Sequence, residues 1–361
     1  MGPALFLYDP PHLMALYPLK FRPRFVEKMW GGRKIETVLG KPLPPGKQIG
    51  ESWELFDFPP GAVDNSSDWV SSEIANGPLA GRSLHWAVGE FGRELHGDVP
   101  LCGPPDLGQF PILVKFLDAR EDLSVQVHPD CEYAAAHPES CVKNEAWYVL
   151  QSDPGSRILK GLRPGTTRES LKRAIERGTV EELVNPVPAK PGASFYLPSG
   201  TVHALGAGIL VAEVQTPSDT TFRVFDFNRT DPSTGKPRAL HVEQALECID
   251  FSNRGTAEQV RSHVAGYFTT VSRLVTSESF KLEKVRFTEG VEEPVPYDQP
   301  VVWVMLQGEA EVRTKGAREP THFNAGETVL LPAAMDQPII KTLSDCVWLE
   351  VTFPTGAEPG R

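Results

Sequence analysis

Cysteine is scarce in this sequence, and its spacing gives no sign of a disulfide framework or a cysteine-bound metal. The five cysteines are an odd number, and no two of them form a Cys-x-x-Cys pair. They are Cys102, Cys131, Cys141, Cys248 and Cys346. We therefore expect reduced, mostly structural thiols and predict a cytoplasmic location, where disulfides are rare.

Long hydrophobic runs and basic clusters are also missing. Apolar runs such as residues 301–306 are far shorter than the roughly 20 residues that a membrane span requires, and no basic region leads into an apolar core near the N-terminus. The net charge is −11, without a cluster rich in Lys and Arg. We therefore expect neither a membrane nor a nucleic acid as partner, and a small anionic ligand would need a local basic pocket.

Proline and glycine, in contrast, are abundant. The 34 prolines and 31 glycines are about 18% of the chain, above the ~12% of ordinary proteins. Short apolar segments between these turn residues predict many short strands. The length of 361 residues is about 2.4 times the ~150 residues of a typical domain. These features together predict a mainly β protein with two domains.

The pattern along the chain divides it into an extension and two domains. Residues 1–17 contain three prolines and no clear period, and we expect an extension that is a candidate for disorder. Residues 18–264 begin with short strands and include a helical segment at about 164–186. Residues 265–354 have the pattern of strands and turns almost throughout.

Local signals predict where helices interrupt the strands. Apolar residues recur at intervals of three and four over residues 84–95, with Ser83 as the predicted N-cap and Gly97 as the stop. A short helix is expected at 242–248. The segment 164–186 has two matches to the capping-box pattern, Thr166 with Glu169 and Thr179 with Glu182.

A faint internal repeat distinguishes the two domains. The first copy has the pattern G-x5-P-x-G-x2-H, a strand followed by a tight turn and a histidine; it comprises Gly192, Pro198, Gly200 and His203. The second copy has alanine and glutamine in place of the second glycine and the histidine; it comprises Gly326, Pro332, Ala334 and Gln337. We therefore predict a metal site in the first domain and a metal-free, structural second domain.

Polar side chains share faces of predicted strands in the first domain. Gln126 and His128 are two residues apart and project from one face of a strand, and Ser124 joins them. Glu145 lies 17 residues beyond His128, and His203 follows the predicted turn. Two imidazoles, a carboxylate and an amide oxygen from separate strands would form an N2O2 metal site with room for water or substrate.

Several motifs around these residues resemble those of a known family. Three segments resemble its metal-site motifs: Ser-x-Gln-Val-His-Pro-Asp at 124–130, Lys-x-Glu-x-Trp-Tyr at 143–148, and Pro-Ser-Gly-Thr-Val-His-Ala at 198–204. Residues 213–223 resemble its substrate strand, and residues 30–32 and 50–54 its N-terminal signatures. The chain is thereby identified as a member of the type I mannose-6-phosphate isomerases of the cupin superfamily, in the shorter bacterial form, over about residues 18–354.

The resemblance implies a fold and a reaction. The fold would be two cupin-type jelly-roll β-barrels with a small helical insertion. The reaction would be the interconversion of D-mannose 6-phosphate and D-fructose 6-phosphate through a metal-stabilised cis-enediolate. The partner would be a small sugar phosphate, and the protein would be a monomer or a homodimer.

The resemblance also implies roles for individual residues. One Zn²⁺ per chain would be bound by Gln126, His128, Glu145 and His203. Lys143, Asp219 and Arg223 match catalytic positions around the substrate. Ser124 matches a position near the phosphate, Arg223 also matches a substrate-binding position, and Trp30 is either a substrate contact or a pocket wall.

Some residues depart from the family pattern, and other readings remain open. Asn144 replaces a usual Thr or Pro, Phe222 replaces a usual Tyr, and Val142 stands where some members have His, so no proton-transfer role follows for that position. Either Lys143 or metal-bound water would serve as the base. The alternatives are a non-haem iron cupin oxygenase, which also uses two histidines and a carboxylate, and a non-catalytic sugar-phosphate-binding cupin.

Overall fold

The structure is a computed structural model that describes residues 15–64, 66–103, 108–137, 140–231, 234–256 and 258–354. Six short helices are present in these ranges: α1 (Lys34–Leu39), α2 (Leu84–Phe91), α3 (Arg93–His96), α4 (Cys131–Ala136), α5 (Arg168–Arg177) and α6 (Val242–Cys248). Strands far outnumber them. The prediction of a mainly β protein is confirmed.

The part of the chain before α6 contributes fourteen strands in its described ranges. They are β1 (Leu19–Lys20), β2 (Arg24–Gly32), β3 (Ile49–Leu55), β4 (Asp57–Phe58), β5 (Val70–Ser71), β6 (Leu113–Ala119), β7 (Val125–Val127), β8 (Glu145–Ser152), β9 (Arg157–Leu162), β10 (Val184–Pro188), β11 (Ser194–Leu197), β12 (His203–Leu205), β13 (Ile209–Gln215) and β14 (Phe222–Phe225).

Ten more strands follow α6. They are β15 (Ser262–Ala265), β16 (Thr269–Thr276), β17 (Lys281–Phe287), β18 (Glu292–Pro294), β19 (Val301–Gln307), β20 (Glu309–Arg313), β21 (Thr321–Asn324), β22 (Thr328–Leu331), β23 (Ile339–Thr342) and β24 (Cys346–Thr352).

Two facing sheets surround the sequence-predicted site. One has the order β10-β9-β12-β7-β14 and the other β11-β8-β13-β6-β2-β3. Apolar side chains from both, including Ile158 and Leu205 of the first and Trp147 and Val211 of the second, pack between them. Within the described ranges, strand pairing does not join these two sheets to each other. The first predicted barrel is therefore a pair of open, facing sheets.

The later strands form a second pair of facing sheets. Their orders are β1-β22-β19-β24-β17-β16-β15 and β18-β23-β20-β21, with Trp303, Phe323 and Trp348 packed between them. A further apolar cluster joins the two pairs, because it contains Phe116 and Ala212 of the six-stranded sheet together with Val304 and Leu349 of the seven-stranded one. The four sheets are thus stacked in layers around shared cores.

The N-terminal segment belongs to this stack. Residues 1–14 of the predicted extension lie outside the described residues. Leu16 and Tyr17 are buried, the Tyr17 hydroxyl donates to the Asn76 carbonyl at 3.0 Å, and β1 pairs with β22 of the C-terminal sheet. The first described residues therefore connect the two pairs of sheets.

The helices differ from their predicted bounds. Ser83 caps α2 as predicted, by accepting from the Trp86 N–H, but the helix ends at Gly92, whose φ of +49° is unfavourable for other residues, and α3 follows separately. The predicted capping boxes are wrong. The box at α5 joins Thr167 and Ser170, and Thr179 precedes a 3₁₀ turn without a side-chain cap.

The core that joins the two pairs of sheets should contribute strongly to stability. Leu330 is fully buried between Leu19 and Val302 in the seven-stranded sheet and belongs to this core. Leu330→Ala should lower the free energy of unfolding by about 2–5 kcal/mol, because it removes buried methyl groups and leaves a cavity. Leu343→Ala, at a side chain that is 40% exposed, should change it by less than ~0.5 kcal/mol. Urea unfolding of both variants tests this, and equal losses would contradict it.

Candidate active site and metal centre

Strand pairing brings three polar residues side by side on the five-stranded sheet. Gln126 of β7 lies opposite His203 of β12 on one side and opposite Arg223 of β14 on the other. Val125 and Val127 are fully buried on the other face, as the alternation of a strand requires. The predicted projection of Gln126 and His203 toward a common site is thus built into the register.

A turn places His203 beside His128. Gly200 has a φ of +81°, and its N–H donates to the His128 carbonyl at 3.0 Å. A Cβ at position 200 would also lie 3.0 Å from the Cys248 carbonyl oxygen. The glycine of the sequence repeat is therefore required by both its conformation and its close approach to backbone.

Glu145 approaches the two histidines from the facing sheet. Its Oε1 lies 3.2 Å from His128 Nε2, and its Oε2 lies 3.3 Å from His203 Nε2. All three side chains are about 1% exposed, and their three candidate ligand atoms lie within 4.8 Å of one another. The amide nitrogen of Gln126 lies 3.3 Å from His203 Nε2. The four residues predicted as ligands therefore meet.

The environment of the histidines suits a metal. His128 Nδ1 lies 3.1 Å from the Thr220 carbonyl and His203 Nδ1 lies 2.8 Å from the Thr201 carbonyl, so each Nε2 is left as the ligand atom. His128 Nε2 and Glu145 Oε2 are buried without a hydrogen-bond partner. Burial, with the nearby Lys143 ammonium, lowers the pKa of His128 to about 3. Two imidazoles with a carboxylate fit a divalent cation such as zinc.

The remaining predicted residues line one cavity beside these ligands. The cavity has a volume of about 260 Å³, and its walls include Lys143, Ser124, Trp30, Asp219 and Arg223. Lys143 is buried, and its Nζ lies 2.9 Å from Glu145 Oε1. Asp219 is exposed at the cavity, while Ser124 and Trp30 are buried. The structure therefore brings every predicted site residue to one place.

Arg223 is only partly engaged by the protein. Its Nη1 donates to the Ala239 carbonyl at 2.9 Å, while its Nε is buried without a partner. Burial, together with the nearby Arg238, lowers the pKa of Arg223. The guanidinium thus keeps donor capacity on a wall of the cavity.

Two of the departures from the family pattern have local roles. The Asn144 side-chain oxygen accepts from the N–H and hydroxyl of Ser199, at 3.0 and 3.1 Å, and so connects the strand of Glu145 to the turn before His203. Phe222 makes an edge contact with Tyr133, with ring centroids 5.3 Å apart. Both residues support the geometry of the site.

Several charged residues of the cavity were missed by the sequence reasoning. Lys115 is one of them, although a single lysine within the otherwise apolar residues 113–117 of β6 was a usable signal, since all seven residues of that strand are buried. Its Nζ lies 3.4 Å from Glu51 Oε2 and 4.6 Å from the Trp53 ring centroid. The others are Lys28, Glu51, Glu213 and Arg238.

The charges of the cavity act strongly on each other. Burial raises the pKa of Glu213 to about 8, and the neighbouring Glu145 carboxylate contributes in the same direction. Burial would also lower the pKa of Lys115, but the carboxylates of Glu51 and Glu213 raise it instead. Shifts of this size are typical of functional sites.

Glu51 provides a test of these interactions through pH. Burial alone would raise its pKa, but Lys115 at 3.4 Å and Lys28 at 3.1 Å lower it to about 2 from 4.5. Because the pKa is lower in the folded state, the stabilisation is complete above about pH 4.5 and is lost as the pH falls toward 2. The advantage of the wild type over Glu51→Gln in free energy of unfolding should be about 1 kcal/mol smaller at pH 3.5 than at pH 7. Urea titrations at the two pH values measure it, and an equal difference at both would contradict it.

Within the described ranges, every helix is too short or too polar to span a membrane.

The sequence model of the family described as phosphomannose isomerase type I, catalytic domain, matches residues 19–152. That range contains β1 to β8 and three of the four predicted ligands.

Relatives match most of the chain. A mannose-6-phosphate isomerase of Streptococcus mutans is 34% identical over 317 residues, which are 87% of this chain and 92% of the relative. A mannose-6-phosphate isomerase of Bacillus subtilis is 33% identical over 337 residues, or 92% and 99% of the two chains. A crystal structure of the mannose 6-phosphate isomerase from Bacillus subtilis superposes with a TM-score of 0.80 and 30% identity, covering 94% of this chain and all of that one. With a His-Glu-His cluster at the predicted place, the chain belongs to the type I phosphomannose isomerase family.

Proposed function

We propose that this protein is a metal-dependent isomerase that interconverts D-mannose 6-phosphate and D-fructose 6-phosphate. The observation that carries the proposal is the convergence of His128, Glu145 and His203 within 4.8 Å at a cavity that also holds Lys143 and Arg223. Membership of the family supports this reaction, and the cluster supports this location for it.

We assign the metal to Gln126, His128, Glu145 and His203 and propose one Zn²⁺ per chain. Gln126 would present its amide oxygen after a half-turn of the amide. A bound zinc ion is a Lewis acid that polarises a substrate oxygen without redox chemistry. The proposed compartment is the cytoplasm, in keeping with five cysteines that are free thiols.

The reaction requires proton movements that the cavity residues would carry out. Aldose–ketose isomerisation moves a proton between C2 and C1 and another between the two oxygens, through a cis-enediolate with negative charge on oxygen. Lys143, buried and 2.9 Å from Glu145, is proposed as the base for the carbon proton. Asp219, exposed at the cavity, is proposed to assist opening of the sugar ring. Metal-bound water is the rival to Lys143 as base.

The other walls would hold the substrate. Arg223 offers a fixed positive charge, and its free donors suit an enediolate or a phosphate. Ser124 would contact the phosphate end, and Trp30 would form a wall against the sugar. The concentration of charged side chains here favours an isomerase over an iron oxygenase with an apolar pocket for O₂.

We further propose that catalysis belongs to residues 18–264 and that residues 265–354 are a metal-free structural domain. Gln337, at the position of the repeat histidine, is exposed on the loop before β23. Metal analysis that returned two tightly bound ions per chain would contradict this division. The protein would act as a monomer or a homodimer.

One assay tests the function directly. Purified protein is loaded with Zn²⁺ and incubated with mannose 6-phosphate, and fructose 6-phosphate is measured with time. We expect turnover that is lost after dialysis against a chelator and restored by Zn²⁺. Loading with Mn²⁺ and Fe²⁺ in parallel identifies the preferred metal. Absence of fructose 6-phosphate with every metal would reject the proposal.

A further inference from the structure

Exposed apolar side chains gather on one hairpin of the C-terminal half of the chain. The hairpin is formed by β15 and β16, and β15 is the outermost strand of the seven-stranded sheet. Eight large apolar side chains are exposed in the described ranges, and four of them lie within residues 260–268: Val260, Val264, Tyr267 and Phe268. All four residues of β15 are exposed. Single exposed apolar residues are normal, whereas a contiguous group of them indicates an interaction surface.

The hairpin is formed in spite of this exposure. Four residue pairs join β15 to β16, and the Gly266 N–H donates to the Thr269 carbonyl at 2.7 Å to close the turn. His263 Nδ1 lies 2.8 Å from Ser272 Oγ on the neighbouring strand. The outer edge of β15 is therefore held in a fixed, extended geometry.

Hydrogen-bonding groups are free along this edge at alternate residues. Because Gly266 and Thr269 are a hydrogen-bonded pair, the alternation of an antiparallel ladder assigns the groups of Ser262 and Val264 to β16 as well. The N–H and carbonyl groups of His263 and Ala265 consequently point away from the sheet. Among the described residues, no strand pairs with that side of β15.

Other sheet edges carry protection that β15 lacks. The edge strands β10 and β18 contain proline, which cannot donate to a further strand. The edge of β14 is covered by the segment before α6, where the His241 N–H donates to the Arg223 carbonyl. The sequence of β15, Ser-His-Val-Ala, has neither proline nor a lysine, aspartate or glutamate. An edge without such protection is a liability unless another strand covers it.

The charge of the hairpin favours a second copy of this chain as the covering partner. The 361-residue chain has 47 acidic residues and a net charge of −11, so two copies repel each other over most of their surfaces. Residues 259–277 contain no aspartate or glutamate. The two arginines in this stretch are engaged within the chain, Arg261 with the Ser194 carbonyl at 3.2 Å and Arg273 with Glu283 at 3.0 Å. Two copies can therefore approach through this hairpin without opposing carboxylates.

The edge is also complementary to itself. If two β15 strands run antiparallel about a two-fold axis at Val264, His263 of each copy lies opposite Ala265 of the other. These are the residues whose backbone groups point outward, so both pairs are hydrogen-bonded. Val264 then lies opposite itself in a pair without backbone hydrogen bonds, the kind in which side chains come closest.

The same register covers the exposed apolar side chains. Val264 lies opposite Val271, which packs against the core of the second pair of sheets. The two copies of Val264 would extend that apolar row across the axis. Each hairpin tip, with Tyr267 and Phe268, would lie beside Val260 of the other copy. One register thus accounts for all four exposed apolar residues.

We propose that this protein forms a symmetric homodimer in which β15 pairs antiparallel with β15 of a second copy, about a two-fold axis at Val264. The pairing joins the two seven-stranded sheets into one continuous sheet. Because the same surface is used by both copies, the contact is closed and assembly stops at the dimer. The inference does not depend on the reaction that the protein catalyses.

Analytical ultracentrifugation of the full chain tests the dimer. The average mass should rise from 39.7 kDa toward twice that value between about 1 and 100 μM, the range expected of a small interface. Val264→Lys places two like charges opposite each other and should raise the dissociation constant at least about tenfold. The control is Ile339→Lys, the same charge at an exposed apolar residue of β23, an inner strand, and it should dimerise like the wild type. Thermal unfolding of each variant shows whether it is folded.

A charge exchange tests the two-fold axis itself. Val264→Glu should weaken the dimer as Val264→Lys does, whereas an equimolar mixture of the two variants should dimerise at least about tenfold more tightly than either alone, since opposite charges then face each other. No such rescue is expected if position 264 contacts any residue other than its own copy. A mixture that stays monomeric would overturn the proposed register.

Oxidative cross-linking provides a second measure of the register. Val264→Cys should give a covalent dimer under mild oxidation, because its two copies lie directly opposite at a distance that a disulfide spans. Ser262→Cys, on the same face but two residues from the axis, should cross-link no more than the wild type, which reports on the native thiols. A wild type that is monomeric at every concentration, a dimer unaffected by Val264→Lys, or equal cross-linking at 262 and 264 would each overturn the proposal.

Discussion

Glu145→Gln is expected to remove both the bound metal and nearly all activity. Glu145 is the single carboxylate shared by His128 and His203, at 3.2 and 3.3 Å. Glutamine keeps the size of the side chain but lacks the charge that balances a divalent cation. Metal content should fall from about one ion per chain to almost none after dialysis, and kcat should fall by about 10³-fold or more, since the polarising cation is lost.

Elemental analysis and the isomerase assay on the same preparation measure both effects. Glu121→Gln is the control, because this glutamate is exposed and pairs with Arg120. The substitution also removes the partner of the buried Lys143, so thermal unfolding must show that the variant is folded. If it is not, His203→Gln tests the same ligand set. A folded variant that retained one metal ion and full turnover would contradict the proposed centre.

The His-Glu-His cluster was predictable because its signals are local. Val125 and Val127 alternate with Gln126 and His128, so a three-residue strand is enough to assign the faces. The turn before His203 needs a residue with positive φ, and Gly200 is placed where the repeat indicates. The sequence therefore indicated which residues share a strand face and where the turn before His203 lies. The family resemblance indicated that Glu145, on another strand, belongs to the same site.

The contacts of the arginines with Asp226 were not predictable in the same way. Asp226 and Arg229 are only three residues apart, but Arg238 reaches Asp226 because the segment before α6 runs along β14, where the His241 N–H donates to the Arg223 carbonyl. Lys115 and Glu51 are also distant in sequence, and their contact depends on the register of β3 with β6. Contacts of this kind leave no period in the sequence.

The layered arrangement of the sheets was hidden for a related reason. All seven residues of β6 and of β13 are buried, so these strands have no polar face to mark which side meets solvent. The pairing of β1 with β22 joins residues more than 300 positions apart. The helix caps failed on a smaller scale, since Thr166 and Thr167 are equally suited to the role and tertiary packing selected the second.

Arg223→Met and Lys143→Met should each depress kcat at least as much as they raise KM. Arg223 lies opposite Gln126 in the ladder with a free buried Nε, and the Lys143 Nζ lies 2.9 Å from Glu145. Both positive charges are thus near the proposed metal site, where negative charge would develop on the substrate oxygens. Only interactions that strengthen in the transition state appear in kcat, and the loss of one such fixed charge typically reduces kcat by about 10²-fold or more.

Steady-state kinetics of the two variants, beside Arg120→Met as control, distinguish three roles for Arg223. A fall in kcat assigns it to the enediolate. A rise in KM with kcat intact would make Arg223 a phosphate ligand. Unchanged constants would reduce it to a structural link through the Ala239 carbonyl, 2.9 Å from its Nη1, and would leave Lys143 as the one positive side chain proposed to act on the reacting carbons.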